Sequence, residues 1–264
     1  MITNNSCNSF DGNRSSDLLA STFPEPNYRS PGLLHWLCVL ALVICWPPQT
    51  AEAQWNGGIE GGTVFRDGGT ATRLRLKADK NARPLSHFIY ADWIRADGGE
   101  NIYEVGYRPR YWFTNKFYSF GEGSIRVDRP LLIDNQTLVL GGIGYRLFSS
   151  PDKSLFIETG LGARRTEFLD STDLGVDLSG SDTDDTLSLL RAGYVQILSD
   201  LLRFEFDLDF FDGESLRQTV AEAGISARIP GGAIKYSYRI RRVDPDDGNS
   251  VEDDDSFVSF TYGF

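Results

Sequence analysis

From residue 55 onward the chain consists of short stretches in which apolar and polar residues alternate, bounded by Gly, Asp, Asn, Pro and Ser, with no convincing amphipathic helix between them. A period of two marks β-strands, because successive side chains leave opposite faces of an extended backbone. Twelve stretches can be laid out, near 58–66, 71–80, 85–96, 101–113, 116–127, 136–148, 154–168, 185–198, 201–211, 216–229, 232–243 and 255–264. In the ninth, Leu202, Phe204, Phe206, Leu208 and Phe210 alternate with Arg203, Glu205, Asp207 and Asp209. In the eleventh, Ile234, Tyr236, Tyr238 and Ile240 alternate with Lys235, Ser237, Arg239 and Arg241, whereas the fifth and eighth are ambiguous. Alternation alone does not separate a soluble sandwich, apolar inside, from a membrane barrel, apolar outside.

Other features choose the barrel. Many stretches have the nine to eleven residues that cross a bilayer's hydrocarbon with a tilt, and an even number suits a single-chain bacterial barrel. Connections after even stretches are short: 80–84, 114–115, 149–153, 199–200 and 230–231. Connections after odd stretches are longer or more acidic: 97–100, 128–135, 169–184 and 244–254. Short periplasmic turns and long outer loops are the barrel pattern. Aromatic residues gather near strand ends, as at Tyr111-Trp112-Phe113 and Phe117-Tyr118, where a membrane interface would hold a girdle. In the last stretch Phe260, Tyr262 and Phe264 share one face while Ser259, Thr261 and Gly263 share the other, the kind of closing strand that barrel-assembly machinery recognises. The fold expected is all-β, an antiparallel transmembrane β-barrel of about twelve strands with both termini periplasmic.

The N-terminal part points to export. A 14-residue apolar run, Leu33 to Trp46, is too short for a membrane-spanning helix, which needs about 20 residues, but suits a signal-peptide core. Ala51-Glu52-Ala53 then offers small residues where a signal peptidase reads, placing cleavage before Gln54 and dividing the chain into an extension with signal (1–53) and one barrel domain (54–264). The polar segment before the run has only Arg14 and Arg29 as basic residues, which leaves a non-standard start codon and an extended signal both open. A lipoprotein is disfavoured because bulky Ile44 precedes Cys45. Cys7, Cys38 and Cys45 all lie upstream of the cleavage point, so the mature chain would hold no disulfide or thiolate site. Cleavage would remove two basic residues (Arg14, Arg29) and four acidic ones (Asp11, Asp17, Glu25, Glu52), moving the net charge from −11 to −9. That sign argues against nucleic acid as a partner.

Four segments carry a family resemblance: Trp55-Asn56-Gly57-Gly58, Gly142-Ile143-Gly144-Tyr145-Arg146-Leu147, Glu158-Thr159-Gly160-Leu161-Gly162-Ala163-Arg164-Arg165 with Glu167-Phe168, and Phe260-Thr261-Tyr262-Gly263-Phe264. Through them the chain resembles the salt-induced outer-membrane protein family, a domain of unknown function found as small barrels in Gram-negative bacteria. The resemblance implies an outer-membrane barrel with an envelope or salt-stress role. It supplies no catalytic residues, and the long N-terminal extension and the Asp-rich connection near 169–184 depart from it.

Residues that could carry chemistry are few. His35 would leave with the signal, so His87 is the one candidate base, and neighbouring Ser86 points to the opposite face of a strand. Catalytic residues are therefore expected to be none, and a hydrolase is the least favoured function. Acidic loops (Asp170, Asp173, Asp177, Asp182, Asp184, Asp185; Asp244, Asp246, Asp247, Glu252, Asp253, Asp254, Asp255) carry hard-cation ligands but match no EF-hand spacing. No metal or cofactor is assigned; divalent ions bridging to lipopolysaccharide phosphates is the weaker role left to them. The charges expected in the lumen are Arg73, Arg75, Lys77, Arg108, Arg110, Arg164, Arg203, Arg239 and Arg241 against Glu104, Glu158, Glu205, Asp207, Asp209 and Glu222. Twelve strands leave a narrow interior in which such charges would pair, favouring a closed lumen over a narrow pore for ions or small solutes. Partners expected are outer-membrane lipid, lipopolysaccharide and the assembly machinery that reads Phe260, Tyr262 and Phe264. N-terminal sequencing of the mature protein is expected to begin at or close to Gln54.

Overall fold

A computed structural model describes residues 55–66, 69–96, 101–169, 183–246 and 250–263. The expected signal segment and cleavage point, Asp170, Asp173, Asp177, Asp182, Asp247 and Phe264 lie outside the described residues. Twelve antiparallel strands run in order: β1 (Trp55–Arg66), β2 (Gly69–Asn81), β3 (Leu85–Ala96), β4 (Ile102–Trp112), β5 (Phe117–Asp128), β6 (Ile133–Ser149), β7 (Lys153–Phe168), β8 (Thr183–Ile197), β9 (Leu202–Gly213), β10 (Leu216–Ile229), β11 (Gly232–Pro245) and β12 (Val251–Gly263). Each pairs with the next, and β12 pairs with β1, so the sheet closes into a barrel without an edge. With an even strand number, both ends of the ring leave from the same rim, the one carrying the tight turns.

The alternation read from the sequence is the alternation of the wall. Along β11, Ile234, Tyr236, Tyr238 and Ile240 are exposed, while Lys235, Ser237, Arg239 and Arg241 are buried. Along β2, Leu74 and Leu76 are exposed and Arg73 and Arg75 buried. Large apolar residues thus cover the outside and polar groups the inside, the inverse of a soluble sandwich and the arrangement a bilayer requires. At the turn-side rim, Pro230 and Gly231 join β10 to β11, and Gly231 takes φ +85°, the left-handed position that a Pro-Gly turn places on glycine.

Two expectations are corrected. The connections after odd strands are not uniformly long: the register brings Arg66 opposite Gly69, leaving two residues between β1 and β2, and Glu214 and Ser215 alone separate β9 from β10. The strands, 11 to 17 residues long, absorb much of what read as loop. Asp244 lies on β11 and Glu252, Asp253, Asp254 and Asp255 lie on β12, while Asp184 and Asp185 belong to β8. Asp residues are poor strand formers on propensity, but here the inward members meet arginines, a tertiary gain that outweighs the local preference. The girdle also lacks two of the five aromatics in its sequence clusters. Tyr111 and Phe113 face outward, at 48% and 56% exposure, whereas Trp112 and Tyr118 turn into the lumen at 6% and 1%.

Inside, β5, β6 and β8 carry an apolar face. Trp112, Tyr118, Phe120, Leu138, Leu140, Leu187, Leu189 and Phe211 form one buried cluster along that side of the barrel. This explains the ambiguity of the fifth and eighth stretches, whose inward faces mix apolar residues with charges, Tyr118 and Phe120 beside Glu122 in one and Leu187 and Leu189 beside Arg191 in the other. Aromatic rings there and nearby lie over glycines directly opposite on the next strand: Tyr90 over Gly106, Tyr118 over Gly144 and Phe156 over Gly193. A Cβ on Gly144 would sit 2.3 Å from the Tyr118 ring. Gly144→Val is therefore expected to destabilise the barrel by about 1–3 kcal/mol through overpacking. Denaturant unfolding with heat-modifiable gel migration measures this, and Tyr118→Ala in the same chain should recover part of the loss.

Candidate functional site: the lumen

The remaining interior, between β1 to β4 and β7 to β12, is filled by charged side chains. β2 places Arg73 and Arg75 one above the other on the inward face. Both reach Asp92 on β3, at 2.7 and 2.9 Å, and Arg75 also donates to Glu222 on β10 at 2.8 Å. Because β10 and β2 are four strands apart around the ring, this ion pair ties two walls across the lumen. A second group centres on Glu158 of β7, fully buried, which accepts from Arg110 Nη2 (2.8 Å), Tyr118 Oη (2.8 Å) and Arg191 Nη1 (3.2 Å). Arg191 also donates to Glu122 (2.8 Å) and Asp209 (2.5 Å), and Arg108 donates to Glu122 at 3.0 Å. Nearer the turn-side rim, Lys235 meets Glu205 at 3.0 Å, and Arg203 meets Glu205 at 2.8 Å with half of its side chain still exposed. Arginine dominates because its planar fork satisfies two carboxylates at once while remaining charged when buried.

At the opposite rim ion pairs cross the lumen. Arg241 of β11 donates to Asp128 of β5 at 2.5 Å, and these strands stand diametrically opposed, six places apart in a ring of twelve. Asp128 is held in turn by Arg126, and Arg241 also binds Asp253 and, at 3.1 Å, Asp255. Asp255 receives Arg66 at 2.5 Å and Arg239 at 3.0 Å. Phe257 lies between the guanidinium groups of Arg73 and Arg239, 4.0 and 5.0 Å from its ring centre, each a cation–π contact. Above this layer the β5–β6 connection folds inward as a short 3-10 turn over Arg129–Leu131 that reaches β12. Its Leu131 packs with Ile133, Leu216 and Val243, all essentially without solvent exposure, as an apolar cap over the mouth. Arg164 and Asp185 pair at 2.8 Å beside this cap, and Asp185 also accepts from the Ser215 backbone.

Below the charge layer the lumen holds open space. A cavity of about 300 Å³ lies among Arg75, Lys77, Tyr90, Arg110, Phe156 and Asp207. A wider space of about 490 Å³ follows at the turn-side rim, bordered by Asp79, Asp200, Arg203, Glu205 and Arg228, and both are bounded by Lys77 and Phe88.

All fifteen charges named for the lumen from the sequence, with Lys77, Arg164, Glu104, Asp209 and Glu222 beside Arg73, Arg75, Arg108, Arg110, Glu158, Arg203, Glu205, Asp207, Arg239 and Arg241, lie on inward-facing positions of their strands. The structure adds Glu60, Arg66, Asp92, Glu122, Arg126, Asp128, Arg191, Lys235, Asp253 and Asp255. Inward parity was available to reveal Asp92 and Lys235, but Glu122 and Arg191 sit on the two ambiguous strands, Asp128 and Asp253 read as loop, and Asp255 stood at the boundary between an acidic loop and the last stretch. His87 faces outward, its Nδ1 2.7 Å from the Tyr107 hydroxyl, while Ser86 is buried on the inner face and accepts from Trp112 Nε1 at 2.9 Å. Among the described residues no group of three or more His, Cys, Asp or Glu is arranged to hold a metal ion. Phe260 and Tyr262 project outward from β12 at 45% and 52% exposure.

Burial separates two kinds of ion pair. Glu158→Leu leaves Arg110 and Arg191 without this buried acceptor and is expected to cost about 3–5 kcal/mol, whereas Arg203→Ala, at a half-exposed pair, should cost at most about 1 kcal/mol. Urea titrations of the two variants in lipid vesicles measure the difference.

A family model described as "Protein of unknown function, DUF481" matches residues 67–264. No curated protein matches the chain in sequence. Among solved structures, the KdgM porin is 13% identical, with 78% of this chain and 99% of that one covered at a TM-score of 0.46. The outer-membrane channel DcaP of Acinetobacter baumannii is 9% identical over 80% of this chain and 96% of its own, TM-score 0.42. Outer-membrane expressed OmpT of Vibrio cholerae is 7% identical over 83% and 100%, TM-score 0.42.

Proposed function

The chain belongs to the family of proteins of unknown function DUF481, and we propose that it is an exported Gram-negative outer-membrane barrel, non-enzymatic, whose lumen is closed to through-flow. In this reading the rim of short turns and chain ends faces the periplasm, and the capped rim faces outward. The observation that carries it is the strut from Arg241 to Asp128 across the mouth, roofed by Leu131, Ile133, Leu216 and Val243. Apolar packing over a layer of paired charges opposes a hydrated path, and ions need one to cross. The non-catalytic reading is supported by the separation of Ser86 and His87 onto opposite faces of β3. An envelope role under salt stress, implied by the resemblance, forms part of the proposal.

A narrow channel is the second reading, favoured by the continuity of the two lower spaces through Lys77 and Phe88. Planar-bilayer recording decides between them. The intact protein is expected to give no conductance steps, and removal of residues 129–132 together with Asp128→Asn and Arg241→Gln is expected to open a current. Reproducible steps from the unaltered protein would assign it to the channels instead. Cell fractionation bears on location: the protein should sediment with the outer membrane and migrate in a heat-modifiable way.

A further inference from the structure

Partnership within the 300 Å³ cavity is uneven. Arg75, Asp92, Glu104, Arg108, Arg110, Arg191, Asp209, Glu222 and Arg239 all line it, and each is engaged by a hydrogen bond or ion pair within the wall. Lys77 of β2 and Asp207 of β9 also line it, and among the described residues neither is joined to another side chain by a hydrogen bond or ion pair. Both are exposed to the solvent inside the barrel. They project from strands five places apart around the ring, so they border the space from nearly opposite sides. Phe88, Phe156 and Val220 supply apolar wall, and the volume is at the low end of the roughly 300 to 1,000 Å³ that small-molecule pockets span.

We propose that this cavity is a binding site for a small zwitterionic solute of amino-acid type, reached from the turn-side rim and ending blindly below the charge layer. Asp207 takes the ammonium group, Lys77 takes the carboxylate, and the apolar part lies against Phe88 and Phe156. A ligand with one charge satisfies one of the two groups and leaves the other without a partner, whereas a zwitterion meets both. The blind end rests on the closed mouth of the preceding proposal; the site itself does not.

Calorimetric titration of the full mature barrel, in detergent or nanodiscs, tests this with L-phenylalanine, phenethylamine and 3-phenylpropionate as probes. Phenylalanine is expected to bind saturably, and each single-charge analogue about tenfold or more weaker, the scale of one lost charge-assisted hydrogen bond. Asp207→Asn should lower affinity for phenylalanine and phenethylamine but not phenylpropionate, and Lys77→Gln should do the converse. If a variant does not fold, as judged by heat-modifiable migration, the order of the three probes on the unaltered protein decides. The absence of saturable phenylalanine binding at tens of millimolar, or equal binding of all three probes, would overturn the proposal and leave Lys77 and Asp207 as a pair that close on each other. Silent bilayers with no binding would remove the site alone, whereas binding together with conductance would keep the site and remove its blind end.

Discussion

In hydrocarbon, a backbone N–H or C=O without a partner has no water to turn to, so a sheet that crosses a bilayer must close on itself. Everything else in this barrel depends on the seam where β1 meets β12, with Gly58 opposite Gly263 and Phe65 opposite Ser256. β1 is unusually rich in glycine, and a Cβ on Gly62 would meet the Val258 carbonyl oxygen at 2.2 Å. The small residues let first and last strands approach, while Phe260 and Tyr262, with Ile59, Phe65 and Val258, supply the apolar outer surface of this part of the wall.

Closing the ring creates the second problem, because twelve strands enclose a volume too narrow for bulk water yet wider than one layer of side chains fills. The protein meets it in two ways at once. Beside β5, β6 and β8 it packs an apolar core, and elsewhere it packs arginines against carboxylates. The first gains from burying area and the second offsets a desolvation penalty only when each charge finds several partners. Glu158, with two arginines and a tyrosine, and Asp255, with three arginines, meet that condition. Because these pairs join strands far apart in sequence, they brace the ring across its width as well as filling it.

The strand positions and the face of each inward charge on β2, β4, β9 and β11 were legible from a period of two, since that period is a local property of extended chain. What escaped had a physical reason. Leu138, Leu187 and Leu189 point inward, so their strands show little contrast between faces. Asp128, Asp253 and Asp255 belong to residue types that favour turns, and they become strand only because Arg66, Arg126, Arg239 and Arg241 wait inside the barrel. Trp112 and Tyr118 sit among outward aromatics in sequence, and only the pleat assigns them to the lumen.

By itself, then, the sequence determined the strands, their number, the apolar outer face and the charged character of much of the inner one, because each follows from neighbours along the chain. Which of those charges meet across the lumen was decided only by the tertiary structure. Arg241 and Asp128 are 113 residues apart, and their meeting depends on the ring placing β5 opposite β11. So does the cap, since Leu131 finds Leu216 and Val243 only after the barrel has closed. Among the described residues, Lys77 and Asp207 form no side-chain hydrogen bond or ion pair for the same reason, their strands being held on nearly opposite walls with a cavity between them.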